Sequence, residues 1–426
     1  MFYGCSGLST IDLSGFNTSK VTNMTSLFGY CSGLSTLDVS SLDTRNVTDM
    51  STMFRNCTDL TALDLSSFDT RNVTNMEEMF SECTSLAEID ISGWDTGKVT
   101  DISALFHNCS GLTEIDLSSL DTGSVKDFKG LVAGCTSLTA LDLSGFYTGN
   151  ATDMMCMFQN CSALKSLDIS SFDTSKVKDM YAMFEDCSAL TSLDVSSFDT
   201  KNVERLSAIF GNCSSLTSID VTGFNTRNAK YMGHMFRNCS KLTSIDISSF
   251  DMRRVQNYDA MFSGCNSLKI LTLGEYFNSI GEEVQLPNGD GWVNTKAPSK
   301  VVSGSGEFAV ITNDGKNIYK RLGTDTENTP TYPTNIKVEY SAKYHQVRFT
   351  WDKVEGADRY GIAVYLAGKW RVQTQSITDT VYTSPKNLTP GKTYKVAIAA
   401  RVNGNWDAVN AVRNAVTVTI KRYVTL

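Results

Sequence analysis

The sequence predicts an α/β solenoid, a parallel strand ladder backed by short helices, followed by an all-β sandwich. Three observations predict it. Cys5, Cys31, Cys57, Cys83, Cys109, Cys135, Cys161, Cys187, Cys213, Cys239 and Cys265 recur at a constant step of 26 residues, the mark of one structural unit stacked on itself. Within each unit an alternating apolar stretch is followed by apolar residues at helical spacing. All six prolines, from Pro287 to Pro390, lie beyond the repeats, which marks an architectural boundary.

Residues 60–83, LTALDLSSFDTRNVTNMEEMFSEC, stand for every unit. Leu63 and Leu65 share one face, while Ala62, Asp64 and Ser66 share the other, which is strand periodicity. Asp69-Thr70 is a turn signal, because short polar side chains bond nearby backbone groups. Val73, Met76, Met79, Phe80 and Cys83 then recur at helical spacing, with Thr74-Asn75 as the N-cap. One such unit cannot bury its own apolar face, whereas a stack buries a continuous core. Helical crossovers would make the ladder parallel, with strands about 4.8 Å apart. At 125–135, VKDFKGLVAGC, Val132 stands where other units carry Phe, and Phe128 stands where they carry Met. The bulk moves within the layer, as a core of fixed volume requires.

The motif MFxxCxxLxxLDLSSFDTxxVTDM resembles the BspA-like leucine-rich-repeat surface proteins of bacteria, over roughly residues 1–275. The resemblance implies a secreted protein displayed on the cell surface or cell wall. It also implies noncovalent adhesion to a host matrix protein, a cell-surface protein or a glycan. No ligand-contact residues carry over with it. The alternative is a structural stalk that displays a missing N-terminal domain. Met1-Phe2 is already the MF of a repeat, so the chain is expected to be part of a longer protein.

The expected domains are a solenoid at 1–275, its cap at 276–325, a linker at 326–334 and a second domain at 335–426. Trp292, Phe308, Ile311 and Tyr319 are the candidates to cover the open end, since a solenoid terminus exposes core. In the second domain, QVRFTW, RYGIAVYL, KTYKVAIAARV and AVTVTI read as short strands. This segment resembles a fibronectin type III domain. Trp351 matches that family's core tryptophan, and LTPGKTY, from Leu388 to Tyr394, matches its tyrosine corner. Trp370 and Trp406 lie at the turns AGKW and NGNW, where an exposed pair could stack on a sugar or serve cross-strand packing.

Charge narrows the function classes. Residues 1–329 hold 24 Lys and Arg against 40 Asp and Glu, a net −16, and residues 330–426 hold 14 against 6, a net +8. No basic run points to nucleic acid, and no apolar run spans a bilayer. No nucleophile, base and acid arrangement, phosphate loop or metal-ligand motif stands out, so no enzyme, cofactor or metal is expected, and the chain is expected to be monomeric. The cysteine column reads as buried packing. The column Asp12 to Asp246 points out of the strands, and the basic stripe Lys20, Arg45, Arg71, Lys98, Lys176, Lys201, Arg227 and Arg253 reads as an ion-pair network. Variation is concentrated around each cysteine, so Arg55, Asp59, His107 and Glu185, on helix-side loops, are the ligand-binding candidates, together with Trp370 and Trp406.

Overall fold

The computed structural model describes residues 1–323, 332–341, 344–354, 356–386, 388–402 and 404–420. Two compact units form, Met1–Gly323 and Thr324–Leu426. Most of the expected linker at 326–334 lies outside the described residues. In the first unit the 26-residue period is a physical layer. Phe28, Phe54, Phe80 and Phe106 stack ring on ring at 5.3–5.6 Å. Phe158, Phe184, Phe210, Phe236 and Phe262 form a second run at 5.5–6.0 Å. Val132 stands between the two runs, and both Val132 and Phe128 are fully buried.

The layers are not those of an α/β solenoid, and that expectation is overturned. Among the described residues of the first unit the only helical segment is the 3-10 turn Glu282–Val284. The stretch expected to be helical is a chain of interlocking turns. In the layer before Cys57, the N–H groups of Met50, Thr52, Phe54 and Asn56 donate to carbonyls of Asn75, Glu77, Met79 and Ser81 in the next layer, at 2.7–3.0 Å. The N–H groups of Met53, Arg55 and Cys57 instead reach back three residues, to Met50, Thr52 and Phe54, at 3.1–3.2 Å. A helix needs every N–H to reach its own fourth-preceding carbonyl. Here alternate donors leave the layer, so the backbone is satisfied between units.

This geometry requires left-handed residues, such as Thr52 at φ 54° and Asn56 at φ 58°. The position before each repeat cysteine is Gly, Asn or Asp in every layer except those of Tyr30 and Glu82, and these are the types that tolerate that region. The other left-handed position, four residues earlier, holds Cys156 in its layer (φ 57°), which places that thiol off the cysteine column.

The alternating stretch, expected to form a continuous ladder, pairs only locally. Glu114–Asp116 (β1) pairs in parallel with Ala140–Asp142 (β2), and Ser244–Ile247 (β3) with Ile270–Leu273 (β4). Parallel bridging runs unbroken elsewhere, layer to layer from Asn23 through Asp101 and Asp179 to Asn257. Two buried columns reinforce it. Each threonine of the turn column, from Thr18 to Thr226, donates its hydroxyl to a carbonyl 25 residues on, at 2.9–3.2 Å. The same hydroxyl oxygen accepts that residue's N–H, as Thr148 does from Asp173 at 2.8 Å and Thr226 from Asp251 at 2.7 Å. Each thiol of the cysteine column from Cys31 to Cys265 donates to a carbonyl of the preceding layer, as Cys57 does to Phe28 at 3.2 Å. All twelve cysteines are free thiols.

Beyond the repeats, Ser279–Ile280 (β5), Trp292–Asn294 (β6), Ile311–Thr312 (β7) and Asn317–Arg321 (β8) pack on the last layers. β8 pairs antiparallel with β4 and with β6, and β5 pairs with β7. Trp292, Ile311 and Tyr319 are buried in the same apolar cluster as the stack, while Phe308 is half-buried. Asn313 ties the segment together, donating to Gly274 and Phe277 carbonyls and accepting from the Tyr319 hydroxyl at 2.9 Å.

In the second unit, Lys337–Ser341 (β9), Gln346–Thr350 (β10) and Val381–Thr383 (β13) form one antiparallel sheet in the order β13-β10-β9. Ala357–Leu366 (β11), Lys369–Ile377 (β12), Thr393–Val402 (β14), Asn405–Trp406 (β15) and Val416–Thr419 (β16) form the other, ordered β12-β11-β14-β15 with β16 also on β14. Phe349, Trp351, Ile362, Val396 and Ile398 share one apolar cluster with residues of both sheets. Trp351 meets Tyr360 edge-on at 5.3 Å, and the Tyr360 hydroxyl accepts the Val354 N–H. A six-residue helix, Ala408–Arg413 (α1), packs on β14. No helix among the described residues is long and apolar enough to cross a membrane.

Candidate functional site

The aspartate face follows from local chemistry. Each Oδ1 from Asp12 to Asp246 accepts the N–H two residues on, at 2.8–3.0 Å. The hydroxyl at that position also donates, at 2.7 Å, in Ser14, Ser170 and Thr222. These bonds, the hydroxyl's first, hold the carboxyls of Asp12, Asp168 and Asp220 below the usual carboxylate range. On Asp38 the Ser40 hydroxyl and N–H likewise hold the carboxyl down, against burial and the charge of Asp64, which pull the other way. Like charges in neighbouring layers are therefore offset by donors inside each layer. A groove of about 850 Å³ opens over β1 and β2, lined by Glu88, Glu114, Asp116, Asp142 and Asp168 above the half-buried Leu141. No group of three or more His, Cys, Asp or Glu among the described residues is placed to hold a metal ion.

Arg55, His107 and Glu185 fall in one column, two residues before a cysteine, and no helix backs them. Their side chains bridge layers. Arg55 pairs with Glu78 and lies over the Tyr30 ring at 5.7 Å. His107 stands 3.8 Å from Glu82 and 3.5 Å from the Ser81 hydroxyl. Glu185 accepts from Gln159 at 2.7 Å, and burial pushes its carboxyl up. Asp59 is exposed two residues after its cysteine. Arg55 and Asp59 belong to one layer, two and five layers away from His107 and Glu185, so the four do not converge on one point.

The basic stripe resolves into two columns with different partners. Arg45, Arg71, Lys201 and Arg253 each pair with the aspartate two residues earlier. At the next position every third layer carries a cation, Lys20, Lys98, Lys176 and Arg254, and the layers between carry Asn or Ser. Asn72 and Asn150 donate to carbonyls of the preceding layer, and their Oδ1 atoms accept from Lys98 (2.8 Å) and Lys176 (2.7 Å) of the following one. Beside this column a second groove of about 850 Å³ is lined by Lys176, Lys178, Lys230 and Arg254, with Glu204 as its one carboxylate. The sequence held a signal for it, since Lys126, Lys178 and Lys230 recur two periods apart. Reading the cations as one stripe concealed it.

In the second unit Trp370 is half-buried and packs edge-on against Tyr365, its cross-strand partner, at 5.3 Å. Trp406 lies against Gly361 and beneath Arg401. Trp370 sits at the Tyr365 end of β11, and Trp406 pairs with Arg401 near its other end. The two tryptophans therefore form no common platform.

Comparison with known proteins finds one family over the repeats. The model of the family described as "Mycoplasma protein of unknown function, DUF285" matches residues 1–90, 86–193 and 157–273. No curated protein matches the chain. Among solved structures, an Fn3-like protein from Clostridium thermocellum is 22% identical with a TM-score of 0.18, over 23% of this chain and 97% of that one. A structure titled FN3tt mut gives 22% identity and a TM-score of 0.18, over 21% of this chain and 94% of that one. At these scores the two-sheet arrangement rests on its own strand pairing. The chain belongs to the DUF285 family.

Proposed function

We propose that this chain is a noncovalent adhesion module of a bacterial cell-surface protein, with no catalytic role. Family membership and the resemblance of the repeats to BspA-like proteins support the cell-surface part. One observation carries the binding part. The layers are held by the same threonine and cysteine columns and by a phenylalanine in every layer but that of Val132, while the column two residues before the cysteine varies, with Arg55, His107, Gln159 and Glu185 partly exposed and Ser81 and Ala133 buried. Such a stack varies its surface chemistry without altering its core, and repeat proteins use extended surfaces of this kind for recognition. The test is binding of the whole chain to arrayed matrix proteins and glycans. A variant with Arg55, Asp59, His107 and Glu185 all changed to Ala should lose protein partners while keeping its fold. Loss of nothing, with no ligand on any array, would remove the adhesion reading.

The stalk reading has its own support. Several exposed polar side chains already serve layer-to-layer bonds, from Asn72 with Lys98 to Glu204 with Lys230 at 2.6 Å, as a stiff spacer requires. A chain without ligands whose unfolding midpoint drops when these bonds are removed would favour it.

A further inference from the structure

Within that adhesion reading, we propose that the groove beside the asparagine column binds a linear anionic polysaccharide, one carrying sulfate or carboxylate groups at regular spacing. The first unit is strongly acidic, with a net −16 over residues 1–329. The groove reverses that sign locally, with Lys176, Lys178, Lys230 and Arg254 against Glu204 alone. Its lining runs from Thr152 to Gln256, five layers, or roughly 20 Å at strand-like layer spacing.

The cations are positioned rather than scattered. Lys176 donates to Asn150 Oδ1 at 2.7 Å, and Arg254 donates to Asn228 Oδ1 at 3.0 Å. Asn228 in turn holds the Lys201 carbonyl at 2.7 Å, which ties it to the preceding layer. Lys230 is held by Glu204 at 2.6 Å. Lys178 and Lys230 occupy the same column two layers apart, roughly 10 Å, comparable to one disaccharide of an extended chain. Anionic groups on two successive disaccharides would therefore meet Lys178 and Lys230, with Asn202 in the layer between them and Thr152 and Gln256 at the two ends.

The lining selects among polyanions. It contains no aromatic residue, and single-stranded nucleic acid needs such residues to stack its bases. It contains no apolar side chain to enter a bilayer surface. Neither does it offer the Trp or Tyr anchors on which protein partners concentrate their binding energy.

The experiment uses the whole chain and a heparin oligosaccharide as probe, with a single-stranded oligodeoxynucleotide of matched charge as competitor. Changing Lys176, Lys178, Lys230 and Arg254 together to Ala should weaken heparin binding about tenfold or more, because exposed charge contacts each contribute a few-fold. The same four changed to Gln, which keeps part of each stem, should give the same loss with unchanged circular dichroism. Arg45→Ala with Arg71→Ala, cations outside the groove, should change nothing. Binding should weaken steeply with added salt. Heparin binding that survives both quadruple variants overturns this site while leaving the adhesion reading intact. Equal affinity for the oligonucleotide overturns the glycan assignment. Absence of binding to heparin and to every arrayed ligand removes both proposals.

Discussion

Replacing Thr226 by Val tests the claim that the layers are bonded through buried threonines. Thr226 is 1% exposed and Asp251 is 9% exposed. The Thr226 hydroxyl donates to the Asp251 carbonyl at 3.2 Å and accepts the Asp251 N–H at 2.7 Å. Val keeps the shape and removes both bonds, which are worth about 0.5–1.5 kcal/mol each, and leaves a buried N–H at a cost of about 1–3 kcal/mol. The extra methyl returns about 0.8 kcal/mol, so the net loss is roughly 2–4 kcal/mol. Thr226→Ser keeps the oxygen and loses one methyl, a loss of about 1 kcal/mol. Urea unfolding followed by circular dichroism should therefore rank wild type above Ser and Ser above Val, with similar m-values. Hydrogen exchange at the Asp251 amide should accelerate only in the Val variant. A Val variant as stable as the Ser variant would refute the ladder, because a merely apolar site would favour Val.

The remaining predictions concern the core and its thiols. Denatured, unreduced protein should titrate all twelve cysteines as free thiols, while folded protein should react first at the half-buried Cys5 and Cys156; disulfides found by mass spectrometry would contradict the structure. Burial pushes Cys57, Cys135, Cys187 and Cys239 each up to about 12, from an ordinary 9.0. Between those values only the unfolded chain ionises, so stability should hold below 9.0 and then fall by about 1.4 kcal/mol per pH unit for each such thiol. A urea midpoint that stays flat from neutral pH to well above 9.0 would refute this. Phe184→Ala should cost about 3–5 kcal/mol, since Phe184 lies fully buried between Phe158 and Phe210. Leu141→Ala should cost less, because Leu141 is only half-buried, and Lys98→Ala under about 1 kcal/mol. Equal losses from Phe184 and Lys98 would mean that the inner and outer faces are misassigned.

The sequence by itself determined which residues are inside. Met76, Met79, Phe80 and Cys83 are all buried, as their recurrence requires, because a column repeated in every layer must be stackable in every layer. It also determined that bulk is conserved where Phe128 and Val132 exchange roles, and that the aspartates of the alternating stretch point outward. Only the tertiary structure decided what backbone carries those columns. Apolar residues three apart suit a helix and a run of turns equally, and what separates the two is the partner of each alternate N–H. That partner lies in the next layer, 25 residues along the chain, as Phe54 N–H on Met79 shows, where no local window reaches it. The Gly, Asn and Asp residues before the cysteines were the visible trace of the turns, but their meaning depends on a left-handed φ that composition alone does not impose. The basic groove was hidden for the same reason. Lys176, Lys178, Lys230 and Arg254 are scattered along the chain, and stacking is what brings them onto one face.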